Sequence, residues 1–205
     1  MLDVFAFLTF ENYQSDCMEA VQLKHLSVEA YFRLEADSDL RYEYHDGFVT
    51  AMAGGTPNHS LISANMLTAL NVALRKMGMG CRVYTGNAKI HIKKSNKYLY
   101  PDCTVVCDDP RLSGVSILNP TLIVEVLSDS TAAYDRGDKF HFYRQIPSLK
   151  EYVLVSQDKP VVEVFTRHRD LWGIKRYEGL DAKVHLVSVA LDVPVGDIFA
   201  GLKFD

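Results

Sequence analysis

Cysteine is scarce in this 205-residue sequence, and its four copies, Cys17, Cys81, Cys103 and Cys107, form neither a CxxC pair nor any framework spacing. That pattern argues against a zinc ribbon or a disulfide-built scaffold. At this length roughly 70% of the unfolded chain's surface can be buried, so no such staple is needed to hold a core. The expectation is buried free thiols in a reducing cytoplasm. No apolar run reaches the roughly 18 residues of a membrane helix, and the opening MLDVFAFLTF lacks both a basic n-region and a small-residue cleavage site. A cytoplasmic protein with no membrane partner is expected. The first 17 residues match nothing that follows, so residues 1–22 read as an extension and Met18 as a candidate start.

Catalytic signatures of several kinds are missing too. The seven histidines show no HExxH and no zinc-finger spacing, Gly54-Gly55 does not complete a GxxxxGK phosphate loop, and SDST has no glycine-flanked nucleophile elbow. There is no internal repeat and no linker rich in Pro, Gly or Ser. One domain is expected over residues 23–205.

Acid is absent from one long stretch. Between Gly47 and Pro101 there is no Asp or Glu, whereas Arg75, Lys76, Arg82, Lys89, Lys93, Lys94 and Lys97 all fall there; the chain as a whole carries a net charge of -4. Two readings stand side by side: a cationic face for a phosphate backbone, or a strand edge that lysines protect from aggregation.

The residues that are present outline an α/β order. SVEAYFRLE (27–35) opens on an N-cap serine and predicts a short helix. RYEYHDGFVTAMAG, with Asp46-Gly47 at its centre, predicts a β-hairpin. Apolar residues at Leu61, Ile62, Met66, Leu67, Leu70, Val72, Ala73 and Leu74 predict a helix over 58–77, closed by Gly78. Arg82 to Lys94 alternates, with Ala88, Ile90 and Ile92 against Lys89, His91 and Lys93, and reads as one strand with a basic outer face. Tyr98 to Cys107 reads as a second, interrupted at Pro101. TLIVEVLS (121–128) reads as a central strand buried on both faces. A helix from about Tyr134 to Gln145, the strand EYVLVS, a turn at Asp158-Lys159-Pro160, the strand VVEVF and further strands in the tail complete the chain.

Glu125 needs explaining, because an ionised carboxylate inside LIVEVL is costly without a partner. One partner is a hard divalent cation shared with Asp102 of the preceding strand; the other is a structural ion pair with a lysine or arginine.

From about Leu26 to Phe199 the chain resembles the Uma-two family of restriction-endonuclease-like proteins, within the PD-(D/E)XK nuclease superfamily. LSVEAY, RYEYHDG, GGTPNH, YLYPDCTVVC, PTLIVEVLSDST, YDRGDKFHFYRQIPSLKEYVLV and VPVGDIF carry the resemblance. It implies a core of helix, three strands, helix and strand, with additional strands on both the N- and C-terminal sides. It implies further a Mg²⁺-dependent endonuclease, Mn²⁺ being a possible substitute, with Asp102 and Glu125 as metal ligands, Val126 offering a carbonyl, and DNA as substrate. A homodimer suits an enzyme that cuts both strands of a duplex.

The lysine expected two residues after Glu125 is Leu127 here. By the family's pattern Lys139 is the nearest replacement, its alternative being an i,i+4 pair with Asp135 on a solvated helix face; Lys89 is the second choice. Glu43 matches a recurring acid of the family, read as a further metal or water contact or as a cross-strand partner of Arg41. His59 is read as a phosphate or site contact or as helix-entry packing, and Arg136 as a substrate contact, as a support behind the site or as structural. Leu127 also leaves open a non-catalytic nucleic-acid-binding or assembly module that retains the fold.

Overall fold

The computed structural model describes residues 22–23, 25–52 and 54–204. In chain order come β1 (Gln22–Leu23), α1 (Val28–Ala36), β2 (Tyr42–His45), β3 (Phe48–Ala51), α2 (Pro57–Lys76), β4 (Arg82–Thr85), β5 (Ile90–Ile92), β6 (Lys97–Leu99) and β7 (Cys103–Val106). Next are β8 (Leu112–Ser113), β9 (Ser116–Ile117), β10 (Leu122–Leu127), α3 (Ala132–Tyr134), a π-turn (Asp135–Lys139) and α4 (Phe140–Tyr143). The chain then runs through β11 (Glu151–Ser156), β12 (Val161–His168), β13 (Leu171–Glu178), β14 (Lys183–Leu186), β15 (Leu191–Pro194) and α5 (Val195–Ile198). The N-terminal residues 1–21, with Cys17 and Met18, lie outside the described residues.

Among the described residues the strands form a six-stranded sheet in the order β13-β12-β11-β10-β7-β4, a seven-stranded sheet in the order β1-β3-β2-β6-β5-β9-β8, and the β14-β15 hairpin. The six-stranded sheet contains the expected core. β4, β7 and β10 run as an antiparallel set, the helical segment α3 to α4 follows, and β11 returns parallel to β10. Antiparallel strands β12 and β13 extend it.

Period-two alternation along β10 decides what each face meets. Leu122, Val124 and Val126 pack with Ile62, Met66, Leu70 and Leu74 of α2, while Ile123 and Leu127 pack with Tyr143 of α4 and with Tyr152 and Leu154 of β11. All six positions of β10 are buried. The sheet is thus covered on both sides, as the uninterrupted apolar run requires.

α2 starts where Thr56 accepts the backbone N–H of His59 at 3.1 Å, with Pro57 in its first turn, and it ends with Arg75 and Lys76 against its dipole. The hairpin β2-β3 turns on Asp46 and Gly47, at φ 50° and 99°, the left-handed pair that a tight two-residue turn demands. α1 buries Tyr31 against Tyr44, Val49 and Tyr98 of the seven-stranded sheet.

Three expectations are corrected. Arg82 to Lys94 is not one strand: β4 belongs to the six-stranded sheet and β5 to the seven-stranded one, with Gly86 and Asn87 in the break. The alternation belongs to the residues in and around β5 alone; β4 does not share it. Tyr98 to Cys107 divides likewise at Pro101, which lacks the N–H needed to continue a ladder. The thiol expectation also fails for one pair, because Cys81 and Cys107 are joined by a disulfide whereas Cys103 is free and buried. The register Arg82↔Val106 brings the next residues outward, Cys81 and Cys107, opposite one another; spacing along the chain carries no trace of that pairing.

The seven cations of the acid-free stretch do not share one strand face. Arg75 and Lys76 close α2, Arg82 pairs with Asp109, Lys89 is buried, Lys93 and Lys94 are exposed after β5, and Lys97 lies 4.1 Å from the centre of the Phe142 ring. Among the described residues no helix is long and apolar enough to cross a membrane.

Ile62 is fully buried between α2 and the sheet. Ile62→Ala is expected to cost about 2–5 kcal/mol of unfolding free energy, from lost transfer energy and the cavity left behind; a urea titration followed by circular dichroism measures it.

Candidate active site

The chain leaves the seven-stranded sheet after β6 and enters the six-stranded one at β7, and Asp102 lies on that crossing. The antiparallel register of β7 and β10 pairs Ile123 with Thr104 and Val124 with Cys103, so the next step brings Glu125 level with Asp102. The backbone N–H of Val126 donates to Asp102 Oδ2 at 2.7 Å and fixes that carboxylate beside the strand. From the other side, His59 Nε2 of the first turn of α2 lies 3.2 Å from the same oxygen. Gly55 makes room for it, since a Cβ there would stand 2.9 Å from His59 Nδ1.

Glu125 projects from the sheet face that the helical segment covers, and Lys139 reaches it from the end of the π-turn. The ammonium lies 2.9 Å from Glu125 Oε1, 3.5 Å from Glu43 Oε1 and 3.5 Å from Asp135 Oδ1. Glu43 arrives on β2; its Oε1 accepts the N–H of Tyr100 at 3.3 Å and its Oε2 the hydroxyl of Tyr134 at 3.4 Å, with His45 Nε2 3.7 Å away. Lys139 and Glu125 are nearly sealed, at 8% and 3% side-chain exposure, while Asp102 and His59 keep 23% and 19% and form the open rim. Three carboxyl groups therefore surround one ammonium, and Asp102 adds a fourth acid at the rim.

Burial decides the protonation of Glu125. It pushes this carboxyl well above the ordinary range, and the charges of Asp102 and Asp135 add to the push against the opposing pull of Lys139. Glu43 goes the other way, because Lys139, His45 and the Tyr100 N–H outweigh its burial and hold it below the ordinary value. Burial works against the Lys139 ammonium as well, but Glu125 and Glu43 overcome it and keep the lysine charged. The bond to Asp102 raises the His59 imidazole. Glu125 Oε1 has the Lys139 ammonium as its close neighbour, and among the described residues the fully buried Tyr143 hydroxyl has no hydrogen-bond partner.

Five of the residues singled out in the sequence, Asp102, Glu125, Lys139, Glu43 and His59, come together here. Two do not. The buried Lys89 ammonium pairs with Glu35 over the rings of Tyr31 and Phe32, and Arg136 pairs with Glu163 of β12 at 2.7 Å on an exposed face. Lys139 does contact Asp135, but both are buried, so the solvated i,i+4 pair is not what forms. Sequence reasoning passed over Asp135, Tyr134 and His45 as site residues. A polar pair four residues apart in a segment due to cover Glu125 was the available signal.

A mixed sheet of three antiparallel strands, a covering helix and a parallel return, with acids gathered at the strand crossing, defines a protein of restriction-endonuclease-like fold. A solved structure shares that fold: "a putative nuclease belonging to DUF820 from Anabaena variabilis ATCC 29413" superposes with a TM-score of 0.68 over 85% of this chain and 98% of its own, at 17% identity. The family model described as Uma2, "Putative restriction endonuclease", matches residues 28–195. The chain belongs to the Uma2 family. Two uncharacterized proteins of Synechocystis sp. are similar to it. One is 39% identical over 181 residues (87% of this chain, 94% of its own length), the other 31% identical over 173 (82% and 96%).

The raised Glu125 carboxyl gives a pH signature. In the folded state it keeps its proton above the ordinary carboxylate range, so it is neutral and harmless at low pH and subtracts from stability as pH rises from that range toward its raised native value. In chelator-containing buffer, Glu125→Gln is expected to match wild type in urea midpoint near pH 5 and to exceed it increasingly toward pH 8. A gap that stays constant across that range contradicts the assignment.

Proposed function

We propose that this protein is a Mg²⁺-dependent endonuclease that hydrolyses phosphodiester bonds of DNA, with Asp102 and Glu125 as the metal-holding carboxylates and Mn²⁺ able to serve as well. The observation that supports this reading is the pairing of two carboxyl groups across neighbouring strands: Glu125, buried in β10, lies level with Asp102 at the open rim.

The residues fit such an ion. Among the described residues no three His, Cys, Asp or Glu side chains are arranged to hold a metal together. Mg²⁺ does not need them: it is commonly bound through one or two carboxylates, with waters and substrate phosphate completing its shell. The donors are hard oxygens, and the carbonyl of Val126, the residue whose N–H bonds Asp102, is the third donor in this reading. A divalent ion would also balance the charge that the clustered carboxyl groups gain on ionising, which one ammonium does not match. When bound, the ion supplies positive charge for polarising the phosphate and acidifying water.

The chain's own groups do the rest. Lys139 stays charged, and its ammonium offsets negative charge developing on the phosphate during attack. Glu43 and Asp135 hold that ammonium beside Glu125. His59 steadies Asp102 at the open rim, at the N-terminus of α2, where the helix dipole favours a phosphate. Lys139 also answers the substitution at Leu127. That side chain points to the same sheet face as Glu125 and packs in the core, while the helix covering this face returns an amine to the carboxylate.

Supercoiled plasmid nicking with Mg²⁺ or Mn²⁺ tests the reading. Asp102→Ala and Glu125→Ala are expected to lose both nicking and divalent-ion binding by calorimetry, and Lys139→Met to lower turnover about 10²- to 10³-fold. Circular dichroism of each variant separates loss of function from loss of fold. A wild-type protein that neither binds a divalent ion nor nicks DNA overturns the proposal; DNA binding that persists without metal would then identify a non-catalytic module.

A further inference from the structure

The helix over β10 is not a regular α-helix. Between α3 and α4 the turn Asp135–Lys139 is π, carrying one more residue than an α-turn. Removing or adding one residue rotates everything beyond it by roughly 100° about the helix axis. The turn therefore sets how Asp135 at its start, and Lys139, Phe140 and Tyr143 at and after its end, are shared between the acid cluster and the core. Both Asp135 and Lys139 are buried in the cluster, whereas Phe140 and Tyr143 pack on the sheet.

A side chain from the sheet reaches the backbone of this turn. Tyr152 of β11 is fully buried, on the same sheet face as Glu125, and pairs in register with Ile123 two residues before it. Its hydroxyl donates to the backbone carbonyl of Asp135 at 2.9 Å, a buried bond between sheet and helix. Its ring stacks on Phe140, with centroids 5.3 Å apart and planes 19° apart, and meets Tyr143 at 5.7 Å. Tyr152 thus touches the residue that opens the turn and the residues that follow it.

We infer that Tyr152 is a positioning residue: its hydroxyl pins the π-turn at the Asp135 carbonyl and thereby holds the Lys139 ammonium against Glu125. The inference rests on the reading of Lys139 as part of the active site, and its chemistry is that of a buried donor with one available acceptor. An isolated buried carbonyl accepts a second hydrogen bond readily, and a widened turn is held in place where such a bond fixes it. Without the hydroxyl, the segment is free to recover α-helical spacing, which rotates Lys139 away from the carboxylates.

Tyr152→Phe keeps the ring and removes only the donor. Ser148→Ala serves as the control, since Ser148 Oγ donates to the Pro120 carbonyl at 2.9 Å and its loss removes a comparable bond away from the turn. Hydrogen exchange and acetic-anhydride labelling followed by mass spectrometry read the turn directly. In Tyr152→Phe, peptides covering 135–143 are expected to exchange at least about tenfold faster than in wild type and Lys139 to become labelled, with β10 and β11 unchanged; Ser148→Ala does neither. Turnover on plasmid is expected to fall about tenfold to a hundredfold, the scale of a displaced catalytic group, at unchanged Mn²⁺ affinity and KM. Unaltered exchange and labelling overturn the inference, as does a uniform rise through β10, β11 and the turn alike. Those two readouts need no nuclease activity, so an inactive wild type sinks the enzymatic reading while leaving this one to be decided by them.

Discussion

The contact between Lys139 and Glu125 is the constraint on which the rest of this structure turns. Glu125 stands in the middle of a strand whose other five residues are apolar and buried, and a charge placed there unpaired would cost several kcal/mol or more. The sheet offers no cation of its own at that level, since the position two residues on is Leu127. The compensating ammonium must come from whatever covers that face, which makes the helical segment between β10 and β11 a chemical element as well as a packing layer. Its irregularity follows from these two roles, because Asp135 and Lys139 must turn toward the acids while Phe140 and Tyr143 fill the apolar space beside them.

The second constraint is topological. Acidic groups repel, and gathering Glu43, Asp102, Glu125 and Asp135 requires a place where several elements end or cross. Pro101 provides it by ending one ladder, so that the chain passes from one sheet to the other with Asp102 on the crossing. Glu43 belongs to the seven-stranded sheet and Glu125 to the six-stranded one. Lys139 bonds to both. A single ammonium therefore ties the two sheets together at the point where the acids converge, holding Glu43 below the ordinary carboxylate range while burial keeps Glu125 above it.

Much of the fold was legible because its elements obey simple periodicities. The α2 stripe, the LIVEVL run and the Asp46-Gly47 turn each have one physical solution. What misled was extent. The alternation of 88–93 lies in and around β5 alone and was extended back over β4, whose burial does not alternate, past a break marked by Gly86-Asn87. The Cys81 and Cys107 bond was hidden for a different reason: it depends on strand register, which a single sequence does not state. Within the site, Asp102, Glu125 and Lys139 stood out as polar residues in apolar or family-like settings. Asp135 was legible only as a helix-face partner of Lys139, because whether that face is wet or buried is decided by the sheet beneath it.

Lysine at position 139 rather than 127 still pairs with Glu125, by a different route. Side chains at 125 and 127 lie on one face of β10, about 7 Å apart along an extended strand, and an amine at 127 would reach Glu125 along the sheet. An amine at 139 reaches it from above, at 2.9 Å, from a helix anchored to β11 by the Tyr152 hydroxyl. The gain is in packing, since Leu127 then joins Ile123, Tyr143 and Leu154 in the core rather than threading an amine through it. The cost is that the ammonium's placement now depends on the helix geometry and on every contact that keeps the widened turn from closing. A lysine carried on the strand would be fixed by sheet register alone; one carried on the helix is fixed by the interface between two layers, so the residues of that interface decide where the ammonium stands.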